Sequence, residues 1–264
     1  MSLEYHNSPY KIIPEELKNE YTMNGKIPIF EKDCPHTFDG SWFFDDSKKN
    51  GVEWSNSLIN DHMNRFTPDN IKNNLEGISS YGHEVCVNLL TSFEDYNIKN
   101  KNVAVIGSET PWIEAILLNM SNKVTTIDYN VPFFNSENIQ LKCKDYFNHF
   151  EKNIETYDAI ITFSSIEHSG LGRYGDPLDP NGDIKVMNNI YNNLTDNGLL
   201  IWGAPVGKDA LVWNAHRIYG PIRLPLIFNN FKQEKWYGHT KENLFLDTAP
   251  LCYYQPVTVL RKIV

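Results

Sequence analysis

Short, largely apolar runs alternate with helical patterns from about residue 80 to residue 203 of the chain. Strands are predicted at 102–106, 123–128, 138–142, 158–163 and 199–203. Helices, with apolar residues at helical spacing, are predicted at 80–92, 111–120 and 184–194. Strands that alternate with helices in this way indicate an α/β fold with a doubly wound, mainly parallel sheet.

The two ends of the chain follow a different pattern. Residues 231–236 and 256–263 resemble strands with no convincing helix between them, so an antiparallel pair is expected at one edge of the sheet. Residues 1–75 are irregular, with scattered prolines and an aromatic-rich stretch at 38–44. Aromatic surface is costly to leave in water, so we expect 1–75 to form an N-terminal arm or lid packed on the core formed by 76–264.

Composition excludes several classes of protein. A chain of 264 residues can bury one sizeable core, and its net charge of −9 argues against general binding to nucleic acid. No apolar run approaches the roughly 20 residues that cross a bilayer, and the first residues resemble no secretion signal, so we expect a cytoplasmic protein with no membrane partner. Cys34, Cys86, Cys143 and Cys252 form no Cys-x-x-Cys pair and are expected to be buried thiols. The oligomeric state is left open.

The segment 101–128 carries the strongest functional pattern. Gly107 directly follows the first predicted strand, and Asp128 ends the second, about 20 residues further on. A nucleotide across the end of a parallel sheet needs a close backbone approach at the first position and a ribose acceptor at the second. Ser108–Pro111 stands where a dinucleotide fold has further glycines for a pyrophosphate. We therefore predict a nucleoside site that needs no diphosphate.

Five predicted parallel strands, the acidic end of the second, a closing antiparallel strand and three local motifs resemble class I S-adenosylmethionine-dependent methyltransferases, which have a Rossmann-like fold. The motifs are the fourth strand with its Ile-Glu-His ending at 157–168, the turn and fifth strand at 194–205, and the long loop 164–183 followed by 214–220. The loop motif is the most specific and resembles the family catalogued as domain of unknown function 268, over roughly residues 75–262. The resemblance implies S-adenosylmethionine as the cofactor. The loop after the first strand departs from the usual Asp/Glu-x-Gly-x-Gly-x-Gly pattern, because Gly107 is followed by Ser-Glu-Thr-Pro, and this departure leaves loss of the cofactor as an alternative.

Candidate cofactor ligands cluster at the ends of the predicted strands. Asp128 is expected to accept the ribose hydroxyls, although a turn aspartate would explain it too. Asp145 and Tyr146 could approach the adenine, or form a solvated turn. Glu109 could approach the methionyl amino group, or simply favour the helix dipole. The cofactor-binding candidates are Gly107, Ser108, Glu109, Asp128, Tyr129, Asp145, Tyr146 and Ser164.

His168 follows the fourth predicted strand, at the rim where the methyl group is expected to point. A histidine with an unshifted pKa of about 6.5 accepts a hydroxyl proton at neutral pH with little tuning. We therefore expect His168 to be the general base, against the alternative of a hydrogen-bonded structural histidine. The catalytic candidates are His168, Glu167 and His216.

The acceptor is expected to contact the loop behind His168 and the polar cluster after the fifth strand. The substrate candidates are Arg173, Tyr174, Asp176, Arg217 and Tyr219. Arginine grips carboxylates or phosphates, whereas structural ion pairs would explain the same residues. The carboxylates of Asp176, Asp179 and Asp183 could hold Mg²⁺ or Ca²⁺, but turns and a helix cap at Asp183 are the preferred explanation, and no metal is expected.

These patterns favour one function over two rivals. The expected activity is a methyltransferase that O-methylates a small polar acceptor, such as a sugar, glycan precursor or nucleotide sugar. One rival is a non-catalytic binding module that kept the fold and lost the cofactor loop. The other is a metal-dependent hydrolase or nucleotide-sugar enzyme built on the aspartate-rich loop. Fold alone does not decide among them, because function resides in the site.

Overall fold

The computed structural model describes residues 12–30, 46, 53–75, 78–152, 155–250 and 254–264. Two short 3₁₀ helices span Ile166–His168 and Lys241–Phe245. The α-helices are α1 (Glu15–Tyr21), α2 (Asn56–Arg65), α3 (Pro68–Lys72), α4 (His83–Asp95), α5 (Trp112–Asn119), α6 (Tyr146–Lys152), α7 (Gly182–Asn193) and α8 (Leu224–Ile227). The strands are β1 (Ile29–Phe30), β2 (Glu53–Ser55), β3 (Asn102–Ile106), β4 (Lys123–Asp128), β5 (Phe133–Asn135), β6 (Leu141–Asp145), β7 (Tyr157–Phe163), β8 (Leu194–Gly203), β9 (Ala210–Val212), β10 (His216–Ile218), β11 (Phe231–Tyr237) and β12 (Val257–Lys262).

The central sheet has the strand order β11-β12-β8-β7-β3-β4-β6. Its five strands β8, β7, β3, β4 and β6 are parallel to one another. The sequence places β3 and β4 at their observed bounds, and regular pairing of β8 with β7 resumes at Leu199, the predicted start of that strand. The α/β class with a mainly parallel sheet is confirmed.

Two predicted elements are displaced along the chain. The third strand runs over Leu141–Asp145 instead of 138–142, because the Asn138 side chain accepts the Gln140 main-chain N–H and closes a turn. The helix predicted at 80–92 begins at His83, because Gly82 takes a φ of +93° that ends the preceding turn. Local side-chain and glycine geometry moved both boundaries.

The C-terminal strands form the expected antiparallel pair at one edge of the sheet. Strand β12 pairs antiparallel with both β11 and β8, so it is the reversed strand and lies one position in from the edge. Strand β11 occupies the edge itself. Pairing on both sides leaves β12 well buried from Val257 to Leu260.

Hydrophobic side chains cover both faces of the sheet. Val103 and Val105 of β3 pack with α4 and α5, whereas Ala104 and Ile106 face a second core that includes α7 and residues of α6. Alternate residues of one strand thus point to opposite layers, as the side-chain period of two requires. This doubly wound packing exposes the carboxyl ends of the parallel strands at one edge.

The described N-terminal residues contact the α/β core. Trp54 and Phe66 are buried in the same core as α4 and α5. Tyr21 packs edge-on against Trp213 at 5.2 Å between ring centroids. The division into an arm at 1–75 and a domain at 76–264 stays a prediction, and its aromatic stretch at 38–44 lies outside the described residues.

Two further expectations concern membranes and thiols. None of the described helices is both long and apolar enough to cross a bilayer. Cys86 is a buried free thiol and Cys143 is a partly buried one. Cys34 and Cys252 lie outside the described residues.

Candidate functional site

A cavity of about 380 Å³ opens at the carboxyl edge of the parallel strands, where ligands of such sheets collect. Its walls include residues 107–110 of the loop 107–111 after β3, here the first loop, and part of 164–183 after β7, here the second loop. On the β3 and β4 side the predicted residues Gly107, Ser108, Glu109, Asp128, Tyr129 and Tyr146 line it. On the β7 side the predicted residues Ser164, His168, Arg173, Tyr174 and Asp176 line it.

Gly107 is the point at which the two loops meet. Its φ is +74°, and a Cβ built there would lie 2.0 Å from the Ser165 hydroxyl oxygen and 2.5 Å from its Cβ. The glycine is therefore required twice, for its left-handed backbone and for the close approach of Ser165. The prediction assigned this freedom to a ligand, whereas the structure assigns it first to the second loop.

Asp128 is held in place by the main chain on both sides. Its Oδ2 accepts the Ser108 N–H at 2.8 Å, and its Oδ1 accepts the Asn130 N–H at 2.8 Å. Burial raises the pKa of this carboxyl group, and these backbone hydrogen bonds act against the rise. Each carboxylate oxygen can accept a further hydrogen bond, so the fixed carboxylate can still serve a ligand in the cavity.

Glu114 is a buried carboxyl group behind the first loop. Its Oε1 lies 2.8 Å from the Thr126 hydroxyl oxygen, and its Oε2 lies 3.1 Å from the Ser108 hydroxyl oxygen. Burial raises its pKa to about 7. The sequence reasoning missed Glu114, although a single carboxylate inside the apolar helix pattern at 111–120 is a signal that could have identified it.

Two aromatic rings line the cavity near the ends of β4 and β6. Tyr129 and Tyr146 are 4.3 Å apart between ring centroids and both line the cavity. Asp145 does not line it among the described residues: its Oδ1 accepts the Asn148 N–H at 2.9 Å at the start of α6. The turn explanation for Asp145 therefore fits better than a contact with adenine.

His168 lines the cavity on the side of the second loop. Its Nδ1 lies 2.5 Å from the Ala215 main-chain oxygen, which can only accept, so Nδ1 carries the hydrogen and Nε2 the lone pair. Burial, followed by the charge of Arg173, lowers the pKa of His168 to about 3. The expectation of an unshifted pKa is wrong, because the fold encloses the ring.

Glu167 lies behind the cavity wall, with its side chain 1% exposed. Its Oε1 is 3.7 Å from Nε2 of His168, and within the described part of the chain neither carboxyl oxygen makes a hydrogen bond of normal geometry. Burial raises its pKa to about 7, and weak hydrogen bonding from its own main chain and from Ser164, followed by the charge of Arg173, acts against that rise. The adjacent Ser164 has a φ of +52°, a strained conformation typical of functional loops.

Arg173 and Asp176 order the second loop. Arg173 Nε lies 2.7 Å from the Asp46 Oδ2, and its guanidinium group stacks over the Tyr174 ring at 5.1 Å. Asp176 Oδ2 accepts the Gly170 N–H at 2.6 Å and the Gly172 N–H at 3.3 Å. The aspartate is thus committed to loop geometry. Sequence reasoning missed Asp46, and it lies in an irregular segment without a pattern that could have indicated it.

A buried ion cluster anchors the second loop from beneath. Arg223 contacts both carboxylate oxygens of Asp183, and Tyr219 donates to Asp183 at 3.1 Å. Arg217 donates to the main-chain oxygen of Ser169 at 2.6 Å. Burial opposes ionisation of Asp183, but the two arginines hold its pKa below the ordinary value. Asp183 is therefore an ion-pair partner inside α7. The expected cap position is wrong, because Asn181 precedes the helix, although Asp183 Oδ1 also accepts the Ile184 N–H of the first turn at 2.9 Å.

The remaining predicted residues stand apart from the cavity. Arg217, Tyr219 and His216 are not among the described residues that line it. The first two bind the second loop, as above, and His216 Nε2 lies 3.1 Å from the Pro250 main-chain oxygen. Burial lowers the pKa of His216 to about 4. The structural explanation for this cluster fits better than contact with a substrate.

The aspartate-rich loop offers little for a metal ion. Asp179 pairs with Lys185 at 2.5 Å, and Asp176 and Asp183 are engaged as described. Across the described ranges, no group of three His, Cys, Asp or Glu residues is arranged to hold a metal. The expected absence of a metal stays a prediction, but this geometry gives the hydrolase rival no set of ligands.

Comparisons with known proteins add a family and a fold. A profile of the family described as "Caenorhabditis protein of unknown function, DUF268" matches residues 100–257. No curated protein matches the sequence. The fold resembles 1,6-didemethyltoxoflavin-N1-methyltransferase of Burkholderia thailandensis, solved with bound 1,6-didemethyltoxoflavin and S-adenosylhomocysteine, at 13% identity over 67% of this chain and 77% of that chain, with a TM-score of 0.51.

A second solved structure is the N-methyltransferase NodS of Bradyrhizobium japonicum WM9. It is 11% identical and covers 66% of this chain and 93% of that chain, with a TM-score of 0.44. At such low sequence identities a structural similarity shows the fold alone, and only the first of these two structures is similar enough to support it. The chain therefore shares the Rossmann-like fold of a methyltransferase, and its chemistry has to be inferred from its own residues.

Proposed function

The chain belongs to the DUF268 family, and we propose that it is an S-adenosylmethionine-dependent methyltransferase acting on a small-molecule acceptor. One observation carries the proposal: a cavity at the carboxyl edge of the sheet brings the first loop and the Asp128 carboxylate together with His168. This is the edge at which a nucleoside and an acceptor can be held side by side. The shared fold supports the same conclusion.

The residues around Asp128 fit a nucleoside. Asp128 would accept hydrogen bonds from the ribose hydroxyls, and Tyr129 and Tyr146 offer aromatic surface to the base. Ser108 and Glu109 would lie toward the methionyl end. When bound, S-adenosylmethionine supplies a methyl group activated on a sulfonium ion.

The charges of the cavity favour this ligand over a dinucleotide. Four carboxylates line it, those of Asp46, Glu109, Asp128 and Asp176, while Arg173 is the one Lys or Arg side chain among the described lining residues. Arg173 is already paired with Asp46. A diphosphate would meet repulsion, whereas a sulfonium cation meets attraction. The same reasoning favours a neutral acceptor, such as a free sugar, over a nucleotide sugar.

His168 and Glu167 support O-methylation of a hydroxyl group. Nε2 of His168 keeps a lone pair, because Nδ1–H is committed to Ala215. His168 is neutral at neutral pH and would accept the hydroxyl proton as the methyl group is transferred. A ring with so low a pKa holds a proton weakly, and an ionised Glu167 carboxylate beside Nε2 would stabilise it there.

Calorimetric titration tests the cofactor and separates the rivals. Wild-type protein should bind S-adenosylmethionine and S-adenosylhomocysteine, and NAD, the control, should not bind. Failure of both sulfur ligands at millimolar concentration would favour the binding-module rival. Binding of NAD alone would contradict both the cofactor and the activity.

A screen for activity follows the binding measurement. Sugars, nucleotide sugars and small amines are incubated with S-adenosylmethionine that carries a labelled methyl group. Transfer to a neutral hydroxyl compound is the expected result. Transfer only to amines would overturn the O-methylation proposal while leaving the cofactor intact.

A further inference from the structure

We propose that Glu114 is a positioning residue of the cofactor site. Its carboxyl group is protonated, donates a hydrogen bond to the Ser108 hydroxyl oxygen, and thereby fixes the first loop next to Asp128. The inference rests on the proposed function, because the loop is the one assigned to S-adenosylmethionine. It concerns a residue that faces the protein interior and is absent from the cavity lining among the described residues.

A count of hydrogens carries the inference. The Ser108 hydroxyl has one hydrogen and two close oxygens, the Thr110 main-chain oxygen at 3.0 Å and Glu114 Oε2 at 3.1 Å. A carbonyl oxygen can only accept, so Ser108 donates its hydrogen to Thr110. The contact with Glu114 is then a hydrogen bond only if the carboxyl group donates to the Ser108 oxygen.

The other carboxyl oxygen completes the network. The Thr126 hydroxyl donates to Glu114 Oε1 at 2.8 Å. When Glu114 is protonated, both oxygens of this buried side chain and the hydroxyl groups of Ser108 and Thr126 all have hydrogen-bond partners. An ionised Glu114 would place an acceptor against the Ser108 oxygen. The single hydroxyl hydrogen of Ser108 could then be donated to Thr110 or to Glu114, but not to both.

The surroundings of Glu114 favour the neutral form. The titratable groups that face it are Asp128 at the end of β4 and the Cys143 thiol on β6, with Glu109 beyond Asp128. Burial, reinforced by the charge of Asp128, raises the pKa of Glu114 to about 7. Neutral Glu114 adds no second negative charge beside the Asp128 carboxylate, which lines the cavity.

The network explains how a loop without further glycines can be held in shape. Ser108 is fixed by its side chain through Glu114 and by its main-chain N–H through Asp128 Oδ2. The first loop is thereby tied to α5, which carries Glu114, and to β4, which carries Thr126 and Asp128. Side-chain hydrogen bonds replace the tight glycine turns of the usual pattern, and they depend on one proton.

Titration of S-adenosylhomocysteine at pH 6 and pH 8 tests the inference. If the protonated network is the form that binds, wild-type affinity falls by about tenfold between these values, because the competent fraction drops tenfold per pH unit above a pKa of about 7. Glu114→Gln keeps an amide N–H donor toward Ser108 and an acceptor toward Thr126. It should bind as tightly as wild type at pH 6 and keep that affinity at pH 8.

Two further variants exclude a merely structural role. Glu114→Leu fills the space without the hydrogen bonds and should bind about tenfold more weakly at both pH values. Asp209→Asn alters another buried carboxylate, one that accepts main-chain N–H groups of Gly220, Ile222 and Arg223, and should lower the melting temperature without changing affinity. If the pH dependence came from ionisation of S-adenosylhomocysteine itself, it would be the same in wild type and in every variant.

Thermal unfolding gives a second readout that needs no ligand. Folded Glu114 keeps its proton up to a pKa of about 7, whereas the unfolded chain loses it near the ordinary value of 4.5. The stability that this group contributes therefore falls as pH rises from about 4.5 to about 7. The Gln variant should gain in melting temperature relative to wild type across that window.

The outcomes separate the inference from the function beneath it. No binding of S-adenosylhomocysteine to wild type at either pH contradicts the proposed function itself. Binding that is equally strong in the Leu variant, or a pH dependence that persists unchanged in the Gln variant, overturns the role of Glu114 and leaves the cofactor assignment standing.

Discussion

The two loops that meet at Gly107 each have a buried carboxyl group behind them, and the two groups differ in one respect. Glu114 and Glu167 are both fully enclosed, and burial raises the pKa of each to about 7. Glu114 forms hydrogen bonds with Ser108 and Thr126. Glu167 makes no hydrogen bond of normal geometry within the described residues, and its Oε1 lies 3.7 Å from Nε2 of the neutral His168 ring.

The difference indicates two uses of the same chemistry. A buried carboxyl group that is fully hydrogen-bonded stiffens its surroundings, as Glu114 does for the first loop. A buried carboxyl group that lacks hydrogen bonds of normal geometry costs stability, and such groups cluster at functional sites, so we assign Glu167 a task in the reaction. On this account the first loop is built for binding, and the second loop is built for handling a proton.

Replacement of His168 should have the largest effect and tests the second loop. His168→Ala should lower turnover by roughly 10²–10⁴, the usual contribution of a general base, and leave the affinity for S-adenosylhomocysteine nearly unchanged. The measurement is initial rate at saturating acceptor, with binding measured in parallel. Turnover at the wild-type level would show that His168 has only a structural role. A loss of affinity for S-adenosylhomocysteine would show that the second loop also serves cofactor binding.

Disruption of the buried ion pair breaks the support of the second loop. Asp183→Ala leaves Arg223 buried without its partner and should lower the free energy of unfolding by about 3–5 kcal/mol. Denaturant unfolding gives the value. The control is Lys72→Ala, which breaks the exposed pair with Glu94 and should change stability too little to resolve. Equal effects in the two variants would contradict the anchoring role of Asp183.

Gly107→Ala tests the contact between the regions. The added Cβ collides with Ser165, and the left-handed backbone is strained, so stability should fall by about 2–4 kcal/mol. Adding Ser165→Gly removes the colliding atoms and should recover the larger part of the loss. A double variant no more stable than Gly107→Ala would show that backbone strain alone makes the glycine necessary.

Sequence patterns predicted the sheet better than the site. The apolar run of β3 and the β-branched run Val-Thr-Thr-Ile of β4 indicate their bounds, because buried parallel strands favour apolar and β-branched residues. The positions of Gly107, Asp128 and His168 at strand ends follow from that sheet, and all three line the cavity. Whatever depends only on strand order is visible in the sequence.

The features that the sequence did not reveal depend on contacts across long stretches of chain. Arg217 and Tyr219 looked like substrate ligands, but their partners lie 36 to 50 residues away in the second loop. The low pKa of His168 likewise results from enclosure by several segments, which no local pattern encodes. Burial decides the protonation of these groups, and burial is a property of the fold.

The comparison is tested most directly by replacing one charged residue on each side of the cavity and measuring the affinity for S-adenosylhomocysteine. Asp128→Ala should weaken binding by about 1–3 kcal/mol, the range for loss of hydrogen bonds to a charged partner. Arg173→Gln lies on the side of the second loop, which is assigned to the reaction and not to the cofactor. It should therefore leave the dissociation constant within about twofold of wild type, well under a tenfold step. Equal weakening by both changes, or none by Asp128→Ala, would contradict the assignment of the first loop and Asp128 to the nucleoside cofactor.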